Sequence, residues 1–525
     1  MIEQIQLFLA ATAALLPLLG LTALLWRRYY REDSENTARR VVKNSAVPTV
    51  TRFVVKAVDA GFALVLFRLL PADSVGQFSL ATLLVVQYLG TFADFGLGTL
   101  LTREVARRPE EAPRYFSSTL LLRWGFTLTT IPLALTVVGA YSGLSLLFPD
   151  SKALTPEGSG AILILCLMLF PASYSSVVTA LLNARERMEI PAAIEIVTEV
   201  VSVFARVGVL LAGWGVLGLA WAAVGSAVFT SLVFLVIQLR LLFTPRLVWD
   251  VRFVRRLLRP AMPLMLNNLL VTAAFSLDSF ILRFYADDLA VAQYRMPYQV
   301  LSVALLLSPL LTNAVFPVIA RYAEDDRSAF NRTYQRTLQV LLIAAFPITV
   351  ATTILATDLV YFVVGGRAAS SFVGASDVAL AILIWFLPLS YLNGLTQYAL
   401  IALNRQGWIT RSFMVMAVFN AAGNLLLIPH FGMYAASVLT VLSEIVLFAM
   451  FLPVLRRESA GPPLWRLAWR PVLAASFMGM VMVAIHAFGA MLSLAGGILV
   501  YAGLLYLLGA FGAEERALVR RVIGW

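Results

Sequence analysis

The sequence has little charge, almost no histidine and one cysteine. Only 13% of its 525 residues are charged and 60% are hydrophobic, whereas soluble globular proteins carry about 25% charged residues. The two histidines, His430 and His486, argue against a histidine-based metal centre or catalytic triad, and we expect no metal site. Cys166 can form no internal disulfide. A chain this apolar cannot hide its surface from water by folding alone, so its solvent must be lipid.

The sequence also lacks the glycine-rich phosphate-binding motif of nucleotide-driven pumps. No G-x-x-x-x-G-K-[ST] pattern is present, and no glycine is followed by lysine, so no such pump is encoded. The net charge is +11, but the basic residues are spread along the chain. In a membrane protein such charge sets topology rather than binding nucleic acid.

The long apolar runs predict an all-α polytopic membrane protein, because about 20 apolar residues are needed to cross a bilayer as a helix. The fifteen runs cover residues 5–26, 41–70, 75–102, 115–141, 160–182, 191–212, 214–239, 260–284, 290–319, 337–364, 376–402, 408–429, 431–455, 471–488 and 490–511. The first is expected to be an extra N-terminal helix, joined by the polar stretch 27–43 to a core of fourteen. The core is expected to fold without residues 1–26.

The loops between these runs alternate in charge. Most of the 40 lysines and arginines fall in one set of alternate loops, and the opposite set holds little beyond Arg68, Lys152, Arg283 and Arg367. Basic loops face the cytoplasm, so we expect the core to begin and end there. The extra helix then places the N-terminus outside, and the C-terminus is cytoplasmic.

The two halves of the core repeat one another at separations of about 214 to 221 residues. The matched pairs are Gly76-Gln77-Phe78 with Ala292-Gln293-Tyr294, Arg103 with Arg321, Leu182-Asn183-Ala184-Arg185 with Leu403-Asn404-Arg405, and Gly218-Leu219-Ala220 with Gly432-Met433-Tyr434. Six helices separate the copies, so both copies point the same way. This predicts a parallel repeat about an axis along the membrane normal, which is typical of transporters.

The residues between 41 and 511 resemble a known family. The features are Arg68-Leu69-Leu70-Pro71, then Gly76-Gln77-Phe78, then Ala93-Asp94-Phe95-Gly96-Leu97 and Arg103. They are similar to the polysaccharide-export branch of the multidrug/oligosaccharidyl-lipid/polysaccharide (MOP) flippase superfamily. The resemblance implies two six-helix lobes in parallel repeat around a central cavity, followed by two C-terminal helices. The expected divisions are 1–40 for the extra helix and linker, 41–243 and 244–456 for the lobes, and 457–525 for the C-terminal pair and tail.

The resemblance further implies a function. It predicts a flippase, not an enzyme, that moves a polyprenyl-diphosphate-linked oligosaccharide across the inner (plasma) membrane by alternating access. The expected partners are this lipid-linked saccharide, membrane lipids and polysaccharide-assembly proteins, without nucleic acid. No cofactor is expected, and coupling to Na⁺ or H⁺ is left open. Two alternatives remain, a multidrug exporter of the same superfamily and a membrane saccharide polymerase or glycosyltransferase.

Charges within the apolar runs are the candidate site residues, because a charge at bilayer depth is costly unless it faces a cavity or a partner. Arg52, Lys56 and Asp59 are spaced i, i+4, i+7 and share one helix face. Asp59 can neutralise only one of the two cations, so we interpret this face as a cationic wall for the substrate's diphosphate, with an internal ion-pair ladder as the alternative. Arg123, Arg206 and Arg295 are further candidates for substrate binding. Arg206 shares a face with Glu195 and Glu199 and could instead be paired within its own helix.

Three acids are candidates for gating or coupling. Asp94 lies near the end of its helix, where it is either a gate contact or a hydrogen-bonding partner of a neighbouring helix. Gly96 and Gly98 beside it allow close packing or a bend. Asp278, with Arg283, is better explained by a structural salt bridge. Glu444 is either a proton-coupling group or a neutral buried acid.

Asn420 and Asn424 are one turn apart, and Thr440 lies on the next predicted helix. This spacing is similar to the cation site of lipid II flippases, which are relatives in the superfamily. Asn424 stands where those proteins have a carboxylate, which weakens the prediction. Interhelical hydrogen bonding of the amides is the favoured alternative.

Overall fold

The helices of a computed structural model correspond closely to the predicted spans. It describes residues 37–147, 153–245, 247, 250–366, 368–458 and 463–509. The predicted first helix, most of its linker and the C-terminal tail lie outside the described residues. Within them the chain is helical and contains no β-strand.

The helices are numbered here in chain order. They are α1 Thr37–Leu69, α2 Ala72–Thr82, α3 Gly90–Asp94, α4 Leu97–Arg107, α5 Ala112–Leu147, α6 Pro156–Ala184, α7 Glu189–Leu211, α8 Gly215–Leu241, α9 Val251–Tyr285, α10 Asp288–Ala304, α11 Leu307–Asp325, α12 Arg327–Ile354, α13 Ala356–Val364, α14 Ala369–Phe372, α15 Ser376–Leu383, α16 Phe386–Ala402, α17 Gln406–Arg457, α18 Leu464–Ile485 and α19 Ala490–Leu507. A π-helical segment, Leu83–Leu89, joins α2 to α3.

Ten helical spans of the described part are long and apolar enough to cross a membrane, and some of them combine two or more of the numbered helices. α9 makes an eleventh if its two halves, bent by 52°, form one span. α1 and α7 have 33 and 23 residues but carry charged side chains along their length. α17 is kinked at Gly432, where the sequence predicts the boundary between two spans. Adding α1, α7 and the second half of α17 gives the fourteen helices predicted for the core.

Some helices begin before the apolar run that predicted them, because a capping residue lies in the preceding polar loop. α9 begins at Val251 rather than near residue 260, because the Asp250 carboxylate accepts hydrogen bonds from the backbone N–H groups of Arg252 and Phe253. α12 begins at Arg327 because Asp326 caps it in the same way. Such caps satisfy N–H groups that the helix leaves free, so helices extend beyond the stretch that lipid requires.

The described residues pack as two compact units. The first contains the described residues up to Arg295 together with Leu425–Gly432, and the second contains Met296–Asn424 and the described residues from Met433 onward. The division falls within α10, whereas the sequence repeat places a lobe boundary at residue 243. The units are defined by packing, whereas the repeat is defined by similar sequence segments. The predicted lobe limits therefore stay predictions.

Each unit has its own apolar core. In the first unit, buried residues of α4, α5, α6 and the start of α9 form one cluster around Phe116 and Leu181, and α1 packs against α7. In the second unit, the C-terminal pair α18 and α19 packs on α12 through Met478, Met482 and Tyr501. The C-terminal pair is therefore part of the second unit.

Candidate functional site

The predicted face of α1 carries its three charged side chains as expected from their spacing. Arg52 and Lys56 are exposed and Asp59 is half-buried. The Lys56 ammonium lies 3.5 Å from the Asp59 carboxylate. Lys56 is therefore partly balanced within its own helix, whereas Arg52 has no carboxylate of α1 as an ion-pair partner.

The facing helix α7 adds three further charged groups. Arg206 forms an ion pair with Glu199, and its guanidinium lies 4.3 Å from the centre of the Phe62 ring of α1. Glu195 interacts electrostatically with Arg52, and Glu199 interacts electrostatically with Asp59. The predicted pairing of Arg206 within its own helix is confirmed. We call the six groups the α1–α7 charge cluster; its members are Arg52, Lys56, Asp59, Glu195, Glu199 and Arg206.

The excess of one cation counted on α1 alone does not hold for the whole cluster. With every group ionised, three cations face three carboxylates, because α7 contributes Glu195 and Glu199 but only one cation. The two acids of α7 therefore balance the excess cation of α1, which the sequence pattern of α1 alone did not reveal.

Asp94 and Arg123 form a buried ion pair between α3 and α5. Arg123 is 3% exposed and also donates to the Ser173 carbonyl of α6 at 3.4 Å. The other carboxylate oxygen of Asp94 accepts from the Gly96 N–H at 3.1 Å. Asp94 therefore contacts a neighbouring helix, which both of its predicted roles require. Arg123 is engaged in the same contact, and its role in substrate binding stays a prediction.

The bend predicted near Gly96 lies at the same place. Phe95 and Gly96 both adopt left-handed backbone conformations, with φ of 51° and 70°, which end α3 and start α4. A Cβ atom on Gly96 would lie 2.6 Å from Cβ of Leu264 in α9. Gly96 therefore provides both the turn and the close approach of the two helices.

The predicted salt bridge of Arg283 is confirmed, with a partner that the sequence analysis did not name. Arg283 is 1% exposed; its Nε lies 2.5 Å from the Asp288 carboxylate, and Nη2 donates to the Ala153 carbonyl at 3.0 Å. Among the side chains that the structure describes, Asp278 has no such ion pair. Its carboxylate accepts from the Tyr294 hydroxyl at 2.5 Å, so the salt bridge expected for Asp278 is corrected to a hydrogen bond.

Arg295, the last predicted substrate-binding cation, is half-buried and interacts electrostatically with Asp278. It follows directly after Tyr294 on α10. The first unit thus contains a second polar cluster, separate along the chain from the charge cluster, in which an acid of α9 meets a hydroxyl and a cation of α10. The binding role of Arg295 stays a prediction.

In the second unit, Asn420 and Asn424 are hydrogen-bonded as the favoured alternative predicts. Asn420 donates to the Ser443 hydroxyl at 3.0 Å, and Asn424 donates to Oδ1 of Asn420 at 2.8 Å. Thr440 donates to the Ala436 carbonyl at 2.9 Å. The predicted cation site at Asn420, Asn424 and Thr440 stays a prediction. Within the described ranges, no group of three or more His, Cys, Asp or Glu side chains is placed to hold a metal ion.

Glu444 lies deep in the second unit, 2% exposed. The side-chain amide of Asn393 in α16 donates to its carboxylate at 2.6 Å and to its backbone carbonyl at 2.8 Å. The carboxylate has no cationic partner within 4.0 Å among the described side chains. Its role as a coupling group stays a prediction.

Three of these partners were missed by sequence reasoning. Asn393 is one of several polar residues in a largely apolar helix, Tyr294 was noted only as part of a repeat, and Asp288 was assigned to a loop. A buried charge requires a partner, which signals that a partner exists but not where it lies in the chain. In the structure, Gly76 of the quoted motif packs directly against the backbone carbonyl group of Asp288.

Comparison with known proteins agrees with this fold. Residues 41–323 match the family described as polysaccharide biosynthesis protein. A relative from Haloferax volcanii, described as "Probable flippase AglR", is 27% identical over 182 residues, which cover 34% of this chain and 37% of the relative. The match therefore spans little more than a third of that relative's length.

Two solved structures show the same architecture. Lipid II flippase MurJ in an inward closed conformation superimposes with a TM-score of 0.75 and 13% identity, covering 91% of this chain and all of that one. An inward-facing multidrug resistance transporter of the MATE family, in the MOP superfamily, gives 0.61 and 17% identity over 80% of this chain and 98% of that one. The resemblance inferred from the sequence is thus confirmed: the chain belongs to the polysaccharide biosynthesis protein family and has the MOP superfamily fold.

Proposed function

We propose that this protein is a flippase that moves a polyprenyl-diphosphate-linked oligosaccharide from the cytoplasmic to the outer leaflet, for surface polysaccharide assembly. Its family and fold support this class of transport. The observation that carries the proposal is the α1–α7 charge cluster, which has two exposed cations, Arg52 and Lys56, within a long helix of a membrane protein.

The substrate class follows from the chemistry of these groups. Cations at bilayer depth are retained at a cost of several kcal/mol unless they meet a partner or a cavity. A diphosphate offers several anionic oxygens and can accept charge-assisted hydrogen bonds from a guanidinium. Arg52 is the better ligand of the two, because Lys56 already lies beside Asp59. We therefore assign Arg52 the main contact with the anionic linkage and Lys56 a supporting one.

The first test is the loss of binding when Arg52 is removed. Arg52→Ala is expected to weaken binding of a polyprenyl diphosphate by about 1.5 to 3 kcal/mol, which is roughly tenfold to hundredfold. Arg52→Lys is expected to weaken binding less, because the positive charge remains. Some affinity is still lost, because a point charge replaces a bidentate contact. The measurements are binding to purified protein and flipping of a fluorescent lipid-linked sugar in proteoliposomes.

Arg332→Ala serves as the matched control, because it removes an exposed arginine outside the cluster. An Arg52→Ala/Lys56→Ala double variant that flips the lipid-linked sugar at the normal rate would refute the proposed site. A drug-efflux assay run in parallel separates the alternative, since a multidrug exporter would transport drugs and leave the lipid-linked sugar in place.

A further inference from the structure

Four arginines form a continuous stripe on the first turns of α9. Arg252, Arg255, Arg256 and Arg259 are all exposed, and their spacing of i, i+3, i+4, i+7 places them on one side of the helix. We call these four residues the α9 arginine stripe. At a rise of about 1.5 Å per residue, the stripe extends for about 10 Å along the helix.

The stripe is held on a fixed support. Phe253, Val254 and Leu257, on the opposite side of the same turns, are buried in the apolar core of the first unit. The Tyr115 ring of α5 meets the Phe253 ring edge-on, with 4.8 Å between the ring centres. Asp250 caps the helix. The arginines therefore project from a packed helix and not from a loose loop.

A second ion pair fixes the start of this helix. The Arg114 guanidinium lies 2.5 Å from the Asp250 carboxylate. This hydrogen bond, reinforced by the Phe253 N–H, holds the pKa of Asp250 below its ordinary value. Asp250, the acid that caps this helix, is thus already paired with Arg114.

The four arginines of the stripe have no carboxylate partner among the described side chains. None of their guanidinium groups lies within 4.0 Å of an acid that the structure describes, and the Arg256 guanidinium lies 5.7 Å from the centre of the Phe253 ring. Some other exposed arginines are paired: Arg405 and Arg327 both pair with Glu458, and Arg103 pairs with Glu104. Four neighbouring unpaired cations leave a strongly positive surface.

We propose that the α9 arginine stripe binds the headgroups of anionic phospholipids in the leaflet beside it. Membrane topology requires a certain number of arginines in a loop but not their alignment on one exposed helix face. Anionic leaflets attract basic surfaces of this kind, and each surface cation strengthens the attraction about fivefold. Arginine is suited to the contact because its planar fork pairs with phosphate oxygens.

The shape of the stripe favours bilayer phospholipids over the substrate's diphosphate. The two phosphates of a diphosphate share a bridging oxygen and can meet only adjacent arginines, whereas separate headgroups can occupy the whole length of the stripe. The stripe also lies on the exposed side of a convex helix. The inference is therefore independent of the proposed transport function.

The test compares lipid selectivity at the protein surface. The full chain is placed in nanodiscs of phosphatidylcholine and phosphatidylglycerol, and the association of spin-labelled phosphatidylglycerol is measured relative to spin-labelled phosphatidylcholine. Wild type is expected to select the anionic lipid, and less so at high salt. A variant with all four stripe arginines changed to Gln is expected to lose at least about fivefold in selectivity. Changing them to Lys keeps most of it, because the charge remains.

A matched variant removes the same number of exposed arginines elsewhere, with Arg321, Arg327, Arg332 and Arg336 changed to Gln. It should retain the selectivity of wild type. Equal losses in the two Gln variants would overturn the proposal in favour of net charge alone, and so would unchanged selectivity in the stripe variant. Stronger displacement of the spin-labelled lipid by a polyprenyl diphosphate than by phosphatidylglycerol would also overturn it. If the fourfold variant does not fold, Arg255→Gln/Arg259→Gln gives the same comparison.

Discussion

At the scale of single residues, the charged side chains in the helices of the first unit differ in burial and in ion pairing. Arg123 and Arg283 are almost fully buried and ion-paired, whereas Arg52 and Lys56 remain exposed. Burying a charge is tolerated only when a partner compensates it. Substitution of Arg123 or Arg283 is therefore expected to affect folding. Substitution of Arg52 or Lys56 is expected to affect binding.

The Asp94–Arg123 pair allows a directional prediction. The Arg123 side chain is 4% exposed and that of Asp94 is 30% exposed, so removal of the acid leaves the more deeply buried charge without a partner. Asp94→Ala is expected to destabilise the protein by about 3 to 5 kcal/mol. Arg123→Ala is expected to cost less, because Asp94 can still reach solvent.

The measurement for this pair is thermal unfolding of the purified variants in detergent. A double Asp94→Ala/Arg123→Ala variant should recover part of the stability lost in Asp94→Ala, since no uncompensated charge remains. Arg103→Ala, at an exposed surface pair, is the control and should change stability little. If Arg123→Ala proved the more damaging single change, the assignment of the burial penalty to Arg123 would be wrong.

At the scale of helices, several spans are interrupted at defined points. A π-helical segment and the left-handed residues Phe95 and Gly96 break the second span of the core. The corresponding span of the repeat, α10 and α11, is broken after Ala304. π-Helical segments are frequent at functional sites. The interruption after α3 also carries Asp94, so the bend and the buried ion pair belong to one structural feature.

Substitution of Gly96 tests this feature. Gly96→Ala would place a Cβ atom in a left-handed conformation, which costs about 1 to 2 kcal/mol, and against Leu264 of α9, where overpacking costs about 1 to 3 kcal/mol. We expect the free energy of unfolding to fall by about 2 to 5 kcal/mol, as measured by thermal unfolding. Gly125→Ala is the control, because its Cβ would meet nothing within 4 Å. Equal stability of the two variants would contradict the close approach of α4 and α9.

At the scale of the whole molecule, the long apolar helices and the alternation of basic and non-basic loops predict a defined topology. α5 has 36 residues and is about 54 Å long at the usual helical rise, more than the roughly 30 Å of a bilayer core. Glu110 and Glu157, which lie before and after α5 in the chain, are therefore expected on opposite sides of the membrane. The charge pattern predicts that the side of Glu110 is cytoplasmic.

Cysteine labelling tests this topology. Glu110→Cys and Glu157→Cys both place a thiol at an exposed position, and the native Cys166 is buried and should not react. An impermeant thiol reagent added to intact cells is expected to label Glu157→Cys only. After permeabilisation both should be labelled. Labelling of both from the outside would refute the predicted order of the spans.

The sequence by itself determined the class of protein, the fourteen core helices and the family. These properties depend on summed hydrophobicity, on the order of loops and on short motifs, all of which are local along the chain. It also determined which faces of a helix carry charge, as for Arg52, Lys56 and Asp59, because helical spacing alone decides this.

Only the tertiary structure decided which charged and polar groups are partners. Asn393 and Glu444 are 51 residues apart in the chain but 2.6 Å apart in space, and Glu199 reaches Asp59 from a different helix. Such pairings depend on the packing of helix surfaces, which the hydropathy pattern does not encode. For the same reason, the sequence analysis found an excess cation on α1, whereas in the structure Glu195 and Glu199 of α7 balance the charge of the cluster.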